Sequence, residues 1–198
     1  MARPSNTDQR RTQIVSALRE VMAERGYERA SISEVAQRAG LTSGLVHYHF
    51  KDKQEILLAL LDVLWRDAQA RIEERSRGRD GLDAAIDALL ATGPDADLAA
   101  VRCWVAISAE AIRQPEVGAR FRGVIQELLS LLETRASALL REEHGSAQGA
   151  RQLAAAVLAS IQGFFVLAAS APDAIPAGSA AGSVKQLVRG FLAAKASR

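Results

Sequence analysis

Residues 31–50, SISEVAQRAGLTSGLVHYHF, constrain the fold more strongly than any other segment of the chain. The opening SISE is a capping box, a serine followed three positions later by a glutamate at the start of a helix. Gly40 can adopt the positive φ angle that ends this helix and turns the chain sharply. Thr42 or Ser43 then caps a second, very short helix. The pattern predicts a helix-turn-helix over about residues 31–50.

The remaining sequence also has the period of helices. Apolar residues recur three and four positions apart in each of the other segments, and no alternating strand pattern of any length is present. Alanine and leucine dominate the composition, whereas β-branched and aromatic residues are sparse. Gly93 and Pro94 end one segment, and Pro115 opens the next. The sequence therefore predicts an all-α fold of nine helices, with RDAQARIEERSRGRDG as the one plausible hinge.

Charge and composition narrow the class of protein. The net charge is +2, but residues 1–53 hold nine Lys/Arg against six Asp/Glu, and this excess suits an anionic partner. The single cysteine excludes an intrachain disulfide. The N-terminus lacks the apolar run of a signal peptide, and the longest apolar stretch, FFVLAASA, is too short to span a membrane. We expect a cytoplasmic protein with no membrane partner.

The short helix after Gly40 carries candidate DNA-binding residues. In helix-turn-helix proteins the N-terminal end of this helix reaches base edges in the major groove, and phosphate contacts fix its register. Small and hydroxylated residues stand at that end, and two side chains that can donate to phosphate follow them. A lysine begins the next helix. The candidates are Thr42, Ser43, Gly44, His47, Tyr48 and Lys53.

A metal site was the competing interpretation of the HYH sequence. Residues two apart on a helix point about 200° away from each other, so His47 and His49 cannot chelate one ion. No cluster of Cys, His and Asp residues nearby completes a site. The sequence predicts no metal and no cofactor, and it predicts that His49 packs against the first and fourth helices.

The extended segment ASISEVAQRAGLTSGLVHYHFKDKQEILLALL resembles the N-terminal domain of the TetR family of transcriptional regulators. The resemblance covers about residues 8–68 and implies a helix-turn-helix DNA-binding domain. It maps the six candidates onto the DNA-contacting positions of the family. The family usually has a tyrosine where this chain has His47, which leaves a phosphate donor in place.

Residues 69–198 resemble the ligand-binding and dimerisation half of the same family. WVAISAEAIRQPEVGARFR and IQGFFVLAA are similar to the choline-sensing BetI subgroup. The resemblance implies a homodimer that contacts double-stranded operator DNA and responds to a small-molecule inducer. Choline is the ligand that the subgroup suggests.

The last two long helices are the candidates for a dimer interface. The eighth is apolar over most of its circumference, which indicates burial on several sides, and the ninth is amphipathic. Two such helices from each protomer would form a four-helix interface. The predicted interface residues are Val157, Ile161, Phe164, Leu187 and Phe191.

A ligand pocket is predicted from aromatic, aliphatic and acidic residues in the larger half and at the end of the fourth helix. The alternative is that these residues are simply core. Glu110 is expected on the surface. If it is buried, it needs a partner, either Arg122 or a cationic ligand. The ligand would be mostly apolar, with a cationic group as one alternative. The candidates are Trp65, Cys103, Trp104, Ile107, Glu110, Phe121 and Phe164.

An enzyme and a helical interaction module are the alternative classes of protein. The sequence has no catalytic motif, no phosphate-binding glycine loop and only three histidines. The basic N-terminal excess and the helix-turn-helix argue against a module that does not bind DNA. The sequence therefore predicts a sequence-specific transcriptional regulator rather than an enzyme. The resemblance implies a repressor that a small-molecule ligand releases from a palindromic operator.

Overall fold

The computed structural model describes residues 6–77, 81–90 and 97–196. Within these ranges the chain forms helices and no strand, which confirms the predicted all-α, nine-helix fold. A short 3-10 helix, Pro172–Ala174, lies between the last two α-helices. The α-helices are α1 Asn6–Arg25, α2 Ile32–Arg38, α3 Ser43–His49, α4 Lys53–Ser76, α5 Leu82–Leu89, α6 Leu98–Arg113, α7 Pro115–His144, α8 Ala150–Ser170 and α9 Ala180–Ala196.

The helix caps and the turn glycine of the helix-turn-helix have the conformations that the sequence predicts. The Ser31 hydroxyl accepts a hydrogen bond from the Glu34 amide at 3.2 Å, and the Ser31 amide donates to the Glu34 carboxylate at 3.0 Å. Thr42 rather than Ser43 caps α3, because its hydroxyl accepts from the Leu45 amide at 3.2 Å. Gly40 has a φ of +65°, a backbone conformation that favours glycine. Of the predicted hinge, residues 66–76 belong to α4, and residues 78–80 lie outside the described residues.

The chain divides into two compact units. The first comprises Met1–Trp65 and Ala99–Phe121, and the second comprises Arg66–Leu98 and Arg122–Arg198. The sequence division into residues 8–68 and 69–198 has its boundary close to Trp65. However, it places α6 with the larger half, whereas α6 packs in the first unit. As a division of functions, DNA binding before ligand binding, it stays a prediction.

The first unit has a core built from one face of each helix. Ile14 and Leu18 stand four residues apart on α1, so both point to the same side and both are buried. Full burial of one such side chain stabilises the fold by about 1.5–3 kcal/mol. The other helices contribute in the same way, through Val35, Val46, Phe50, Ile56, Leu57, Leu60, Leu61, Cys103 and Ile107.

The second unit packs α8 against α9 and α5. The side of α8 that faces this core is aliphatic, as are the facing residues of the other helices. Lys185 on α9 also donates a hydrogen bond of 2.7 Å to the Asp87 carboxylate on α5. The buried residues include Leu82, Ile86, Leu132, Leu140, Leu153, Val157, Ile161, Val184 and Val188.

Within the protomer α8 has an exposed side, which includes Ala155, Ala159, Val166 and Leu167, so its burial on several sides by a second copy stays a prediction. Another expectation for α8 was wrong. The helix is long and apolar enough to cross a membrane by length and composition, the one such helix among the described residues. Counting uninterrupted apolar runs missed this because single polar residues such as Gln162 divide the sequence. Part of α8 packs in the core of the second unit.

Candidate DNA-binding surface

The N-terminal end of α3 forms an exposed surface. Five of the six candidate DNA-binding residues are exposed, and Tyr48 keeps 80% of its accessible surface. The opposite side of α3 is anchored by Val46 and by Phe50, the residue that ends the helix, both of which are buried. These two residues are four positions apart and so hold α3 from one side. The exposed residues are Thr42, Ser43, Gly44, His47 and Tyr48.

Two side chains of α1 hold the C-terminal ends of α2 and α3. Arg11 donates a hydrogen bond to the His49 carbonyl at the end of α3, and its guanidinium lies 3.9 Å from the centre of the Phe50 ring. Gln13 donates to the Ala39 carbonyl, at the end of α2, over 2.5 Å. The last carbonyls of a helix have no partner inside it, so these contacts satisfy two of them. Because this contact uses the backbone of His49, packing of its side chain against α1 and α4 stays a prediction.

Two hydrogen bonds of Glu55 hold the corner between α3 and α4. The Asp52 carboxylate accepts from the Glu55 amide at 2.8 Å, as expected for a cap of α4. The Glu55 carboxylate accepts from the Lys51 amide at 2.8 Å. Arg11 also lies 3.3 Å from the Glu55 carboxylate. This network fixes the angle at which α3 leaves the body of the unit.

Lys53 differs from the other five candidates because its ammonium group has an internal partner. Its Nζ donates to the Tyr27 carbonyl over 2.9 Å and lies 4.1 Å from the centre of the Tyr27 ring. Burial lowers the pKa of Lys53, and the negative charge of Glu110 is the strongest of the opposing effects. The lysine is half-buried at the first residue of α4.

A polar cluster links the start of α4 to the end of α6 within the first unit. Gln114 donates to the Glu110 carboxylate at 2.6 Å, and Gln54 donates to the Gln114 side chain at 2.9 Å. Burial raises the pKa of Tyr27, and a hydrogen bond between its side chain and Gln114 opposes the increase. No pattern in the sequence identifies this cluster, because Tyr27, Gln54 and Gln114 lie far apart along the chain.

Glu110 corrects one of the sequence expectations. It is 7% exposed, and it is buried rather than on the surface. Its partners are Gln114, one turn further along, and Arg113, whose nearest nitrogen is 3.9 Å away, rather than Arg122. Glu110 stands three residues after the buried Ile107 on α6, and this helical spacing places both on the same side. Gln114 lies only four residues further along the chain, but Arg122 and a cationic ligand were the partners expected from the sequence.

Three arginines around the helix-turn-helix, Arg11, Arg25 and Arg38, are paired with carboxylates. Arg25 lies 2.7 Å from Glu34, and Arg38 lies 2.8 Å from Glu24. The hydrogen bond from Arg38 is the main reason that the pKa of Glu24 lies below its usual value. Such exposed pairs contribute little to stability. Their consequence is that these arginines do not present an isolated positive charge to a partner.

Most of the predicted ligand-binding residues lie inside the first unit. Trp104 and Phe121 form an aromatic pair with ring centres 5.1 Å apart, and the Cys103 thiol lies 3.3 Å from the Arg19 carbonyl. Trp65, Cys103, Trp104 and Ile107 are all buried. Phe164, by contrast, belongs to the second unit. Packing as core accounts for the burial of these side chains, and their role in ligand binding stays a prediction.

The predicted interface residues of α8 and α9 fall into two groups. Val157 and Ile161 are buried inside the protomer, so they cannot form its exposed face. Leu187 is 63% exposed, and Phe164 and Phe191 are partly exposed. The sequence could not separate these groups because both sides of α8 are apolar. The exposed face of α8 instead includes Ala155, Ala159, Gly163, Val166 and Leu167.

The sequence matches two protein families along most of its length. Residues 14–60 match the family described as bacterial regulatory proteins, tetR family. Residues 78–194 match the family described as BetI-type transcriptional repressor, C-terminal. The regulator BetI of Stenotrophomonas maltophilia is 31% identical over 130 residues, which cover 62% of this chain and 65% of BetI. The chain spans less than two thirds of the length of this and other curated relatives that it matches.

Solved structures share the fold over nearly the whole chain. A transcriptional regulator from Rhodococcus sp. Rha1 is 29% identical with a TM-score of 0.79, over 93% of this chain and 96% of its own. A regulator from Saccharomonospora viridis in complex with choline is 19% identical with a TM-score of 0.74, over 93% and 95% of the two chains. The second likeness concerns the fold alone. With both family matches, the chain belongs to the tetR family of bacterial transcriptional regulators and has a C-terminal region of the BetI type.

Proposed function

We propose that the protein is a dimeric repressor that binds a palindromic operator and leaves it when a small molecule binds. The observation that carries this proposal is the exposed N-terminal end of α3. Arg11 and Gln13 of α1 hold α3 and the preceding α2 in place through hydrogen bonds to their last carbonyls. A rigid, exposed helix end is what insertion into a major groove requires. The protein would act in the cytoplasm, where bacterial DNA lies, and the proposal includes no enzymatic activity.

The exposed residues of α3 divide by chemistry into two roles. The hydroxyls of Thr42 and Ser43 would read base edges, and Gly44 would let the backbone approach the groove closely. His47 and Tyr48 would donate to phosphate oxygens and set the register. Thr42 is restricted by its second role, because its hydroxyl also caps α3. Ser43 is therefore the stronger candidate for base recognition.

The homodimer is proposed from the exposed apolar side chains of the second unit. Leu187 on α9 and Val166 and Leu167 on α8 are large hydrophobic residues that remain accessible in the protomer. Contact with a second copy would remove them from water, and Phe164 and Phe191 would contribute at the edge. A symmetric dimer presents two copies of α3, which requires a palindromic operator with half-sites about one helical turn apart or a little more.

The ligand is proposed to bind near α6. Glu110 supplies a carboxylate that is nearly buried, and the aromatic pair of Trp104 and Phe121 supplies apolar surface in the same unit. Trp65, Cys103, Ile107 and Phe164 remain the other candidates. A mostly apolar ligand fits these residues, and a protonated or quaternary amine such as choline would use the carboxylate. The similarity to BetI supports choline as the first compound to test.

Selection of genomic DNA fragments by the purified protein tests whether it binds DNA sequence-specifically. Recovery of one palindromic sequence, confirmed by gel shift, is the expected result. No enrichment of any fragment contradicts the DNA-binding function. The bound operator is then titrated with choline, betaine aldehyde and hydrophobic amines while tryptophan fluorescence and DNA release are followed together.

Glu110→Gln separates the two ligand alternatives. If the inducer is cationic, this variant should require more of it for release while it binds the operator as the wild type does. An anionic inducer, or one that acts equally on Glu110→Gln, contradicts a role for the carboxylate in ligand binding.

A further inference from the structure

The side chains of two cations beside the helix-turn-helix have no partner in the described part of the chain. Arg29 lies in the loop between α1 and α2, Lys51 lies between α3 and α4, and both are exposed. Within residues 6–77, 81–90 and 97–196 neither side chain has a hydrogen bond or an ion pair. Arg11, Arg25 and Arg38, by contrast, are all paired with carboxylates.

Lys53 joins the two segments that carry these cations. Its ammonium holds the Tyr27 carbonyl, two residues before Arg29, and it is itself two residues after Lys51. The Ala30 amide also donates to the Tyr27 carbonyl, at 3.1 Å, so this oxygen closes the turn that contains Arg29. The lysine therefore fixes the loop after α1 against the start of α4.

The position of the Lys53 ammonium group argues against its being the main phosphate ligand. To reach a phosphate, it would have to leave both the Tyr27 carbonyl and the Tyr27 ring. Lys51 and Arg29 have no such contacts to give up. A phosphate-binding side chain contributes to affinity through its charge, and the charge of an exposed, unpaired cation is available to DNA without any rearrangement.

We propose that Arg29 and Lys51 bind the DNA phosphates that flank α3, and that Lys53 is a positioning residue that sets the distance between Arg29 and Lys51. This inference rests on the proposed DNA-binding function and changes the role assigned to Lys53 by family resemblance. It predicts that charge at positions 29 and 51, rather than at position 53, determines how steeply binding depends on salt.

The test measures binding to a labelled random-sequence DNA duplex between about 50 and 200 mM salt, because the phosphate contribution does not depend on sequence. Arg29→Ala and Lys51→Ala should each reduce the slope of log K against log salt by about 0.9 for each protomer bound. Lys53→Gln keeps a neutral donor for the Tyr27 carbonyl and should leave the slope at the wild-type value. Lys53→Ala should weaken binding severalfold, again without a change of slope.

Arg66→Ala is the matched control. Arg66 is exposed and also lies on α4, but it is 13 residues beyond Lys53, which is about 20 Å along a helix. Its removal should not change the slope. A slope change in Arg66→Ala equal to that in Lys51→Ala would mean that the effect is general attraction rather than two local contacts, and it would overturn the proposal.

The remaining outcomes also decide the assignment. A reduced slope in Lys53→Gln, or an unchanged slope in either Arg29→Ala or Lys51→Ala, overturns it. Wild-type affinity and slope in Lys53→Ala overturn the positioning role, provided that thermal unfolding shows the variant to be folded. A wild-type protein that binds no duplex contradicts the DNA-binding function itself. If the wild type binds the duplex but Arg29→Ala and Lys51→Ala leave the salt slope unaltered, only the roles assigned to Arg29, Lys51 and Lys53 are contradicted.

Discussion

Gln114 donates a hydrogen bond of 2.6 Å to the carboxylate of Glu110, which is nearly buried four residues earlier. This contact satisfies a charged group that would otherwise lose its water without compensation. It also fixes the Gln114 side chain, which accepts in turn from Gln54 on α4. One glutamine therefore serves both a charge on α6 and the first turns of α4.

Replacing this glutamine should destabilise the protein. Gln114→Ala leaves the Glu110 carboxylate and the Gln54 amide without this partner, and we expect a loss of about 1–3 kcal/mol in the free energy of unfolding. Urea denaturation followed by circular dichroism measures the change. Gln9→Ala, which removes an exposed glutamine of α1, is the control and should be neutral. A Gln114→Ala variant as stable as this control would show that the hydrogen bond makes no net contribution.

Gly40 and Gly44 should respond in opposite directions to the same substitution. Gly40 has a φ of +65°, so Gly40→Ala places a side chain in a left-handed conformation at a cost of about 1–2 kcal/mol. Gly44 lies in α3 with ordinary φ, and an added methyl group would meet only the Thr42 hydroxyl, at 4.0 Å. Gly44→Ala should therefore stabilise the helix by up to about 1 kcal/mol.

DNA binding separates these two variants further. The new methyl group of Gly44→Ala would stand on the exposed side of α3, where it obstructs close approach to the groove. We expect a more stable protein with weaker operator binding, measured by thermal unfolding and gel shift on the same samples. Unchanged operator affinity in Gly44→Ala would show that the backbone at Gly44 does not approach the DNA.

Leu187 gives a cleaner test of the dimer than the buried residues of α8. Leu187→Glu places a charge on a surface that is 63% exposed in the protomer, so folding should survive. We expect the dimer dissociation constant to rise at least about tenfold, which corresponds to about 1.4 kcal/mol, as measured by sedimentation. Phe164→Glu should act in the same direction.

Ile112→Glu is the control for that experiment, since Ile112 is 87% exposed but lies in the first unit. It should remain dimeric. Val157→Glu cannot be used in this way, because Val157 is buried and the charge would disrupt the core itself. Leu187→Glu and Phe164→Glu variants that sediment as the wild type does would remove α8 and α9 from the interface.

The capping box predicts a specific effect of pH. Hydrogen bonds from the Ser31 amide and hydroxyl hold the pKa of Glu34 below its usual value of 4.5. The folded state therefore binds fewer protons here than the unfolded chain. The resulting stabilisation is present above pH 4.5 and is lost as the pH falls through the lowered pKa.

Ser31→Ala should raise the pKa of Glu34 only part of the way to its usual value. The variant loses the hydroxyl, but it keeps the backbone amide, which makes the larger contribution. An NMR titration of the Glu34 carboxyl measures the change. Ser33→Ala, an exposed serine in the same helix, should leave the titration as it is in the wild type. The same Glu34 pKa in Ser31→Ala as in the wild type would contradict the hydroxyl contribution.

Local signals predicted the helix-turn-helix, whereas contacts between distant residues escaped prediction. The capping box, Gly40 and the Thr42 cap depend on residues within four positions of each other, so their spacing alone determines the structure. Arg11 and Gln13 act on carbonyls 38 and 26 residues away, and nothing in their neighbourhood identifies those partners. The partner of Glu110 was missed although Gln114 lies only four residues away, because Glu110 was expected on the surface.

The interior of the protein offered a weaker signal. In α8 both the core-facing and the exposed side chains are apolar, so periodicity could not distinguish the residues that pack in the protomer from those left accessible. Val157 and Phe164 were therefore predicted together, although Val157 is buried and Phe164 is partly exposed in the folded chain.

The assignment of α6 to the first unit has a consequence for fragments of this protein. On α1 the Arg19 carbonyl contacts the Cys103 thiol, and the Ala23 carbonyl accepts from Arg102 at 3.4 Å, so α6 covers part of α1. A polypeptide that stops after α4 contains the whole helix-turn-helix yet lacks this cover. The smallest autonomous piece that can hold α3 rigid is consequently not a contiguous N-terminal stretch. It requires residues on both sides of α5, and a proteolytic cut between α4 and α6 would weaken DNA recognition without touching any residue that meets DNA.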